Sequence, residues 1–269
     1  MAKLALILLF ITGCATQKKD EDYGLSIKMR DSLFAEQSFF ASLKSSKDPF
    51  FLNYTPSKCL SGWSKRVEVL KQSLKKTVNS KERQNIWFEL GNCNILVGDY
   101  KSALYYYDLV LGLNFKTKKI NSAIYFNMGQ IYENAEKDFL AYSYYQLAKD
   151  NFDKGRYSLF KLAVLEFEQA EYTISNKYFT ELLRYYPQSE VIHFLLGVNY
   201  FHLGRKREAI NKVLNKLDEK SVSRILLNMA FDIADSKNME NLEADLKNLD
   251  VNFKVHQDFK RYLLNTLER

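Results

Sequence analysis

Apolar residues recur at the three- and four-residue spacing of amphipathic helices through most of the chain after residue 25. Between residues 84 and 223 two series of small residues mark a longer period, and both advance by 38, 34 and 34 residues. The first is Gly91, Gly129, Ala163 and Gly197, and the second is Ala103, Ala141, Ser175 and Ala209. Small residues on facing helices allow the axes to approach to about 8–10 Å. The pattern therefore predicts four helix hairpins in which the two small residues of each copy face each other.

Larger residues surround these small positions in a recognisable order. The first copy reads Trp87-x-x-Leu90-Gly91 and then Ala103-x-x-x-Tyr107, and Pro187 closes the third copy. This order resembles the tetratricopeptide repeat, a helix hairpin that buries its apolar face only by stacking on neighbours. The resemblance implies an all-α, right-handed superhelical solenoid with helical caps at both ends. An irregular helical bundle with the same periodicity is the alternative.

Two features depart from the repeat pattern. Asn94 and Glu166 occupy positions where the family has a second tyrosine. The step from the first copy to the second carries four extra residues near 115–119. Because four residues are about one helical turn, we expect a lengthened helix or loop there and a local change in superhelix pitch.

The flanks of the four repeats (84–223) are also helical in pattern. Apolar residues at helical spacing cover 26–45 and 64–78, with Pro49 and Pro56 between them, so residues 29–83 are predicted to form an N-terminal cap or degenerate repeat. Three further apolar faces follow residue 223. Residues 224–269 are therefore predicted to form a degenerate repeat and a capping helix, as terminal repeats require for solubility.

The N-terminus has the features of an export signal. Lys3 precedes the apolar run Leu4–Ile11, and small residues lead to Cys14. The run is too short to span a bilayer, which needs about 20 residues. Its ending resembles the lipobox of bacterial lipoproteins, which implies cleavage of residues 1–13 and acylation of Cys14 with fatty acids such as palmitate. The polar residues after it predict a flexible tether over 14–28.

The charge and the cysteines argue against two function classes, nucleic-acid binding and redox catalysis. The net charge of +7 is modest and its basic residues are spread out, so a nucleic-acid interface is not expected. Apart from Cys14, the chain contains Cys59 and Cys93, which in an oxidising compartment either form a disulfide or remain two buried thiols. The spacing of the cysteines excludes a C-x-x-C redox motif.

No motif predicts catalysis. The chain lacks the zinc-protease, phosphate-loop, EF-hand and nucleophile-elbow patterns, and His193, His202 and His256 have no ligand spacing. We therefore expect no metal, cofactor or small-molecule substrate, and no enzyme activity. An enzyme whose site is not visible in the sequence remains the alternative from a different class.

A recurring phenylalanine points to a binding surface. In tetratricopeptide repeats the first helix of each hairpin lines a concave groove, and here a Phe follows the first large residue of every copy. An aromatic groove suits an apolar helix or extended segment of a protein partner, and not a carboxylate clamp. The alternative is that the same residues pack between first helices or beneath the C-terminal helix near Phe259 and Leu263. These groove residues are Phe88, Asn92, Phe126, Gln130, Phe160, Val164, Phe167, Phe194, Val198 and Phe201.

Together these patterns predict a scaffold that is lipid-anchored in the bacterial envelope, at the periplasmic face of the outer membrane, and that binds proteins through the groove. A subunit or pilotin of an outer-membrane assembly, secretion or pilus machine is one alternative. A cytosolic adaptor with a fortuitous lipobox is another.

Overall fold

The computed structural model describes residues 63–113, 118–150, 154–235, 239–251 and 254–267. These residues form α-helices and one short 3₁₀ helix, and they contain no strand, which confirms the predicted all-α class. No helix in these ranges is both long and apolar enough to cross a membrane. The helices are α1 (Trp63–Lys76), α2 (Ser80–Leu96), α3 (Tyr100–Leu111), α4 (Lys118–Asn134), α5 (Asp138–Ala148), α6 (Lys154–Glu168), α7 (Tyr172–Tyr185), α8 (Glu190–His202), α9 (Lys206–Lys212), α10 (Val222–Ala234), α11 (Met239–Asn248) and α12 (Lys254–Leu267).

The described residues belong to two compact units. Unit 1 contains residues 63–158 and unit 2 contains residues 159–267, so the division falls within α6. In unit 1, α1 packs on α2, α2 pairs with α3, and α4 pairs with α5. In unit 2, α8 packs against α7, α9 and α10, while α12 packs against α10 and α11.

Large residues of the second helices lie on the small residues of the first. A Cβ added at Gly91 would come within 2.4 Å of the Tyr107 ring, and one at Gly129 within 2.5 Å of the Tyr145 ring. The side chain nearest to Gly129 is Tyr145, which lies one turn beyond Ala141 in α5. The predicted contact between Gly129 and Ala141 itself stays a prediction.

The equivalent positions in unit 2 differ in detail. Ser175 Oγ donates to the Ala163 carbonyl at 2.7 Å, so the two small residues of the third copy do meet. A Cβ added at Gly197 would instead approach Leu227 of α10 at 2.5 Å and Val213 at 3.2 Å. Gly197, the small residue of the fourth copy, thus leaves space for the Leu227 side chain of the next hairpin.

The turn inside each hairpin has the same backbone conformation in all four copies. Gly98, Glu136, Ala170 and Gly204 have φ of 76°, 55°, 61° and 67°, and they follow the same steps of 38, 34 and 34 residues. The residue after each of them donates its N–H to a carbonyl five residues back, as in Asp99 to Asn94 at 3.0 Å and Arg205 to Tyr200 at 2.9 Å. This is the Schellman pattern of helix C-termini, which favours glycine at the left-handed position.

The flanking predictions fall partly within the described residues. The spacing over 64–78 corresponds to α1, and the three faces after residue 223 correspond to α10, α11 and α12. The signal peptide, Cys14, the tether, Cys59 and the helical pattern over 26–45 lie outside the described residues, as does most of the extra turn near 115–119. The domain boundaries predicted from the sequence stay predictions.

Candidate functional site: the groove residues

In unit 1 the groove residues divide into a buried ring and a partly accessible edge. Phe126 is 2% exposed, and its ring lies 5.7 Å from Tyr145 and 6.3 Å from Tyr157. Phe88, Asn92 and Gln130 are only partly buried. Phe126 is therefore core, which matches the alternative in which these residues pack between first helices. The other three remain accessible.

A small polar network surrounds Asn92. Its side-chain oxygen accepts hydrogen bonds from the Tyr107 hydroxyl and the Asn127 amide, each at 2.8 Å, and the Asn127 amide also lies 2.8 Å from the Tyr107 hydroxyl. These two bonds use only the oxygen of the Asn92 amide, and its nitrogen donates to no other group in the described chain. Burial raises the pKa of Tyr107, so its hydroxyl stays protonated.

The edge of unit 1 therefore offers amides beside an aromatic ring. Gln130 makes no side-chain hydrogen bond to the rest of the described chain. In the second hairpin the Tyr145 hydroxyl donates to Glu133, which fixes that carboxylate one turn beyond Gln130. The sequence pattern pointed to Asn92 and Gln130 but not to Asn127 and Glu133, because neither residue type recurs at the equivalent positions of the other copies. Those positions hold Glu89, Lys161 and Leu195 for Asn127, and Ile95, Phe167 and Phe201 for Glu133.

In unit 2 the third copy continues the aromatic packing. Phe160 is 8% exposed and lies 6.1 Å from Phe179, edge to face. Val164 and Phe167 are partly buried, and the Phe167 ring lies 5.4 Å from Tyr172 and 5.7 Å from His202. Phe160 is thus core, whereas Phe167 belongs to an aromatic cluster at the ends of the helices.

The fourth copy is covered by the C-terminal helix. Phe194 is 0% exposed, and Phe259 of α12 packs edge-on against it at 5.6 Å and against Phe201 at 5.9 Å. Val198 is also buried. An open groove is therefore wrong for Phe194, which lies beneath α12, and for Val198, which is 3% exposed.

Two imidazoles accompany this contact, of which His256 is buried and His202 is partly buried. His256 lies 4.4 Å from Phe194, and His202 stacks on Tyr172 at 4.7 Å. Burial lowers the pKa of both histidines to about 4, so both are neutral at pH 7. His193 has a different role, since its Nε2 lies 3.0 Å from the Pro187 carbonyl and ties α8 to the turn before it.

The predicted disulfide rests on Cys93, which is fully buried in α2 and disulfide-bonded. Cys59 lies outside the described residues, so the pairing of Cys59 with Cys93 stays a prediction. The described ranges contain no group of three or more His, Cys, Asp or Glu side chains able to hold a metal ion.

Comparison with known families identifies the hairpin type. A family model of the tetratricopeptide repeat matches residues 157–189. Over these residues the chain is similar to a tetratricopeptide repeat. The matched residues include most of α6, the turn at Ala170, α7 and Pro187, which is the third copy predicted from the sequence. No curated protein matches the chain significantly.

The repeat fixes the function class at a coarse level. Tetratricopeptide repeats are helical modules that bind protein partners and typically have no enzyme activity. The similarity therefore suggests a protein-interaction scaffold as the function class.

Proposed function

We propose that the protein is a lipid-anchored scaffold of the bacterial envelope, at the periplasmic face of the outer membrane, and that it binds a partner segment at the accessible edge of unit 1. The observation that carries the binding part is the combination of an accessible aromatic ring with amide donors. Phe88, Asn92 and Gln130 are partly buried groove residues. The side-chain nitrogen of Asn92 and the side chain of Gln130 form no hydrogen bond to another group of the described chain.

The chemistry of this edge suits an apolar segment with accessible backbone groups. Phe88 lies 6.4 Å from Tyr107, so an apolar partner side chain would extend an existing aromatic contact. The Asn92 and Gln130 amides would then bond backbone carbonyl or N–H groups of the same segment. An extended segment or a helix terminus exposes such groups, whereas the middle of a helix does not.

Site-specific crosslinking tests the binding surface directly. A photo-crosslinking residue placed at Gln130 of the full-length protein in intact cells should capture one discrete partner. The same residue at Asp108, which is exposed on the second helix α3, is the matched control and should capture none. Equal capture at both positions, or none at Gln130, would contradict the assignment.

The membrane part of the proposal rests on the sequence Ile11-Thr12-Gly13-Cys14 and is tested separately. Cells fed a labelled fatty acid should incorporate it into the wild-type protein and not into the Cys14→Ser variant. A wild-type protein that takes no label and stays in the soluble fraction would favour a cytosolic adaptor. Subunits and pilotins of outer-membrane machines would share the lipid label and differ in the crosslinked partner.

A further inference from the structure

The C-terminal helix α12 rests on a surface made by α8 and α10. Phe259 contacts both Phe194 and Phe201, and Tyr262 lies 6.4 Å from Phe201 and 5.6 Å from His202. Phe201 also packs against Phe231 of α10 at 5.7 Å. The amphipathic helix α12 thus lies with its aromatic face on the rings of α8 and also packs against α10, in the manner of a helix in a groove.

A polar bridge fixes the start of α12 on this surface. Ser223 Oγ of α10 donates to Glu190 at 2.6 Å and lies 2.9 Å from His256 Nε2. Because the hydroxyl has one proton, a serine that donates to Glu190 accepts from the Nε2–H of a neutral His256. These hydrogen bonds fix the position of α12 along α10, which packing between aromatic rings alone would not fix.

The layer beneath α12 has packing of its own. Leu226, Leu227 and Ala230 of α10 are fully buried, and Leu227 fills the space left by Gly197 of α8. The other side of α12 faces solvent, where Gln257, Arg261 and Asn265 are exposed. The α8–α10 contact therefore does not depend on α12 for its closest packing.

We infer that α12 is a built-in, exchangeable occupant of a helix-binding surface on α8 and α10, and that a partner helix of the same chemistry binds there by replacing it. The chemistry is an amphipathic helix with aromatic residues three positions apart, as at Phe259 and Tyr262, preceded three positions earlier by a hydrogen-bonding side chain, as at His256. This inference rests on the scaffold function proposed above and adds a second, self-occupied surface.

The test uses the whole chain with a protease site inserted between Asp250 and Val251, so that α12 stays in place until it is cut free. After cleavage, a fluorescein-labelled peptide of residues 252–269 should bind the cut protein, as fluorescence anisotropy reports. In the uncut protein the tethered α12 competes at an effective concentration near millimolar, so apparent affinity should be at least about 100-fold weaker.

Matched peptides define the recognised face. A peptide with Phe259→Ala and Tyr262→Ala should bind at least about tenfold more weakly, because aromatic anchors dominate such contacts. A peptide with Arg261→Ala and Asn265→Ala, which changes only exposed positions, should bind like the wild type.

Three results would overturn the inference. The cut protein could lose the helicity of α8 and α10, which would make α12 a core element. The labelled peptide could fail to exchange into a folded cut protein. The uncut chain could form a dimer in which α12 contacts the second copy. None of these results bears on crosslinking at Gln130, so failure here is distinguishable from failure of the proposed function.

Discussion

In unit 1 the large residue of the second helix is tyrosine in both hairpins, whereas in unit 2 the same position holds Phe179 and then Val213. All four side chains are at most 1% exposed. The tyrosines bring a hydroxyl into the core and pair it with Asn92 or Glu133, and this fixes polar groups along the first helices. The phenylalanine and valine bring none. The same period therefore builds a polar edge in one unit and an apolar surface in the other.

The two units also differ in what covers the first helices. In unit 1 the accessible edge retains the nitrogen donors of Asn92 and the side chain of Gln130, which bond no other group in the described chain, while in unit 2 the rings of α8 lie beneath α12. A recurring residue thus marks a recurring position in the packing. Its accessibility depends on what the rest of the chain places over it.

The largest expected effect tests the covered surface. Phe194→Ala should destabilise unit 2 by about 3–5 kcal/mol, because it opens a cavity between α8 and α12. Phe88→Ala in unit 1 is the matched control and should cost less, since Phe88 is only partly buried. Hydrogen exchange of each unit measures both variants, and equal losses would remove the distinction between the two units.

The second-largest expected effect is that acid destabilises unit 2 more than unit 1. All three histidines lie in unit 2, and burial lowers the pKa of His202 and His256 to about 4. The unfolded imidazoles take up protons near pH 6.5 and the folded ones only near pH 4. The free energy of unfolding of unit 2 is therefore highest above pH 6.5 and falls as the pH drops toward 4. At pH 5 the loss is about 2 kcal/mol for each histidine that has the full pKa shift.

Urea unfolding at pH 7 and pH 5 measures this difference. Both tryptophans lie in unit 1, so their fluorescence follows that unit, while hydrogen exchange follows both. The His256→Gln variant retains a hydrogen-bonding group without the titration and should lose less between the two pH values. Equal acid losses in unit 1 and unit 2 would show that the histidines are not responsible.

A smaller loss of stability is expected from a substitution at Gly129, where the Tyr145 ring packs on the glycine. Gly129→Ala should destabilise unit 1 by about 1–3 kcal/mol despite the better helix propensity of alanine, because the Tyr145 ring has no room to move. Gly112→Ala is the control, since its φ of −67° suits alanine and its added Cβ meets nothing closer than 3.3 Å. Thermal melts showing no loss for Gly129→Ala would contradict the observed register.

The smallest effect has the opposite sign. Ala170→Gly should stabilise unit 2 by about 0.5–1 kcal/mol, because Ala170 holds a left-handed conformation that glycine adopts without strain. Gly204→Ala at the equivalent turn should destabilise by a similar amount. A melting temperature that falls for Ala170→Gly would mean that unfolded-state entropy outweighs the strain at this turn.

Much of the hairpin architecture could be predicted from the sequence because it depends on local period and residue size. The steps of 38, 34 and 34 located the small residues and the third copy that the family model matches. The turns at Glu136 and Ala170 were missed because neither residue is a glycine, although the backbone there matches that of Gly98 and Gly204. The left-handed φ and the hydrogen bond that follows it in the folded chain identify all four as the same turn.

For the candidate site as well, some properties could be predicted from the sequence and others depended on the tertiary structure. The sequence by itself determined that a phenylalanine recurs on the first helices, since equivalent positions in stacked hairpins repeat with the period of the chain. Only the tertiary structure decided that Phe126 and Phe160 are core, that Phe194 lies under α12, and that Asn92 and Gln130 stay accessible. The physical reason is that burial depends on contacts between residues far apart in sequence. Phe194 and Phe259, separated by 65 positions, meet through packing that no local pattern encodes.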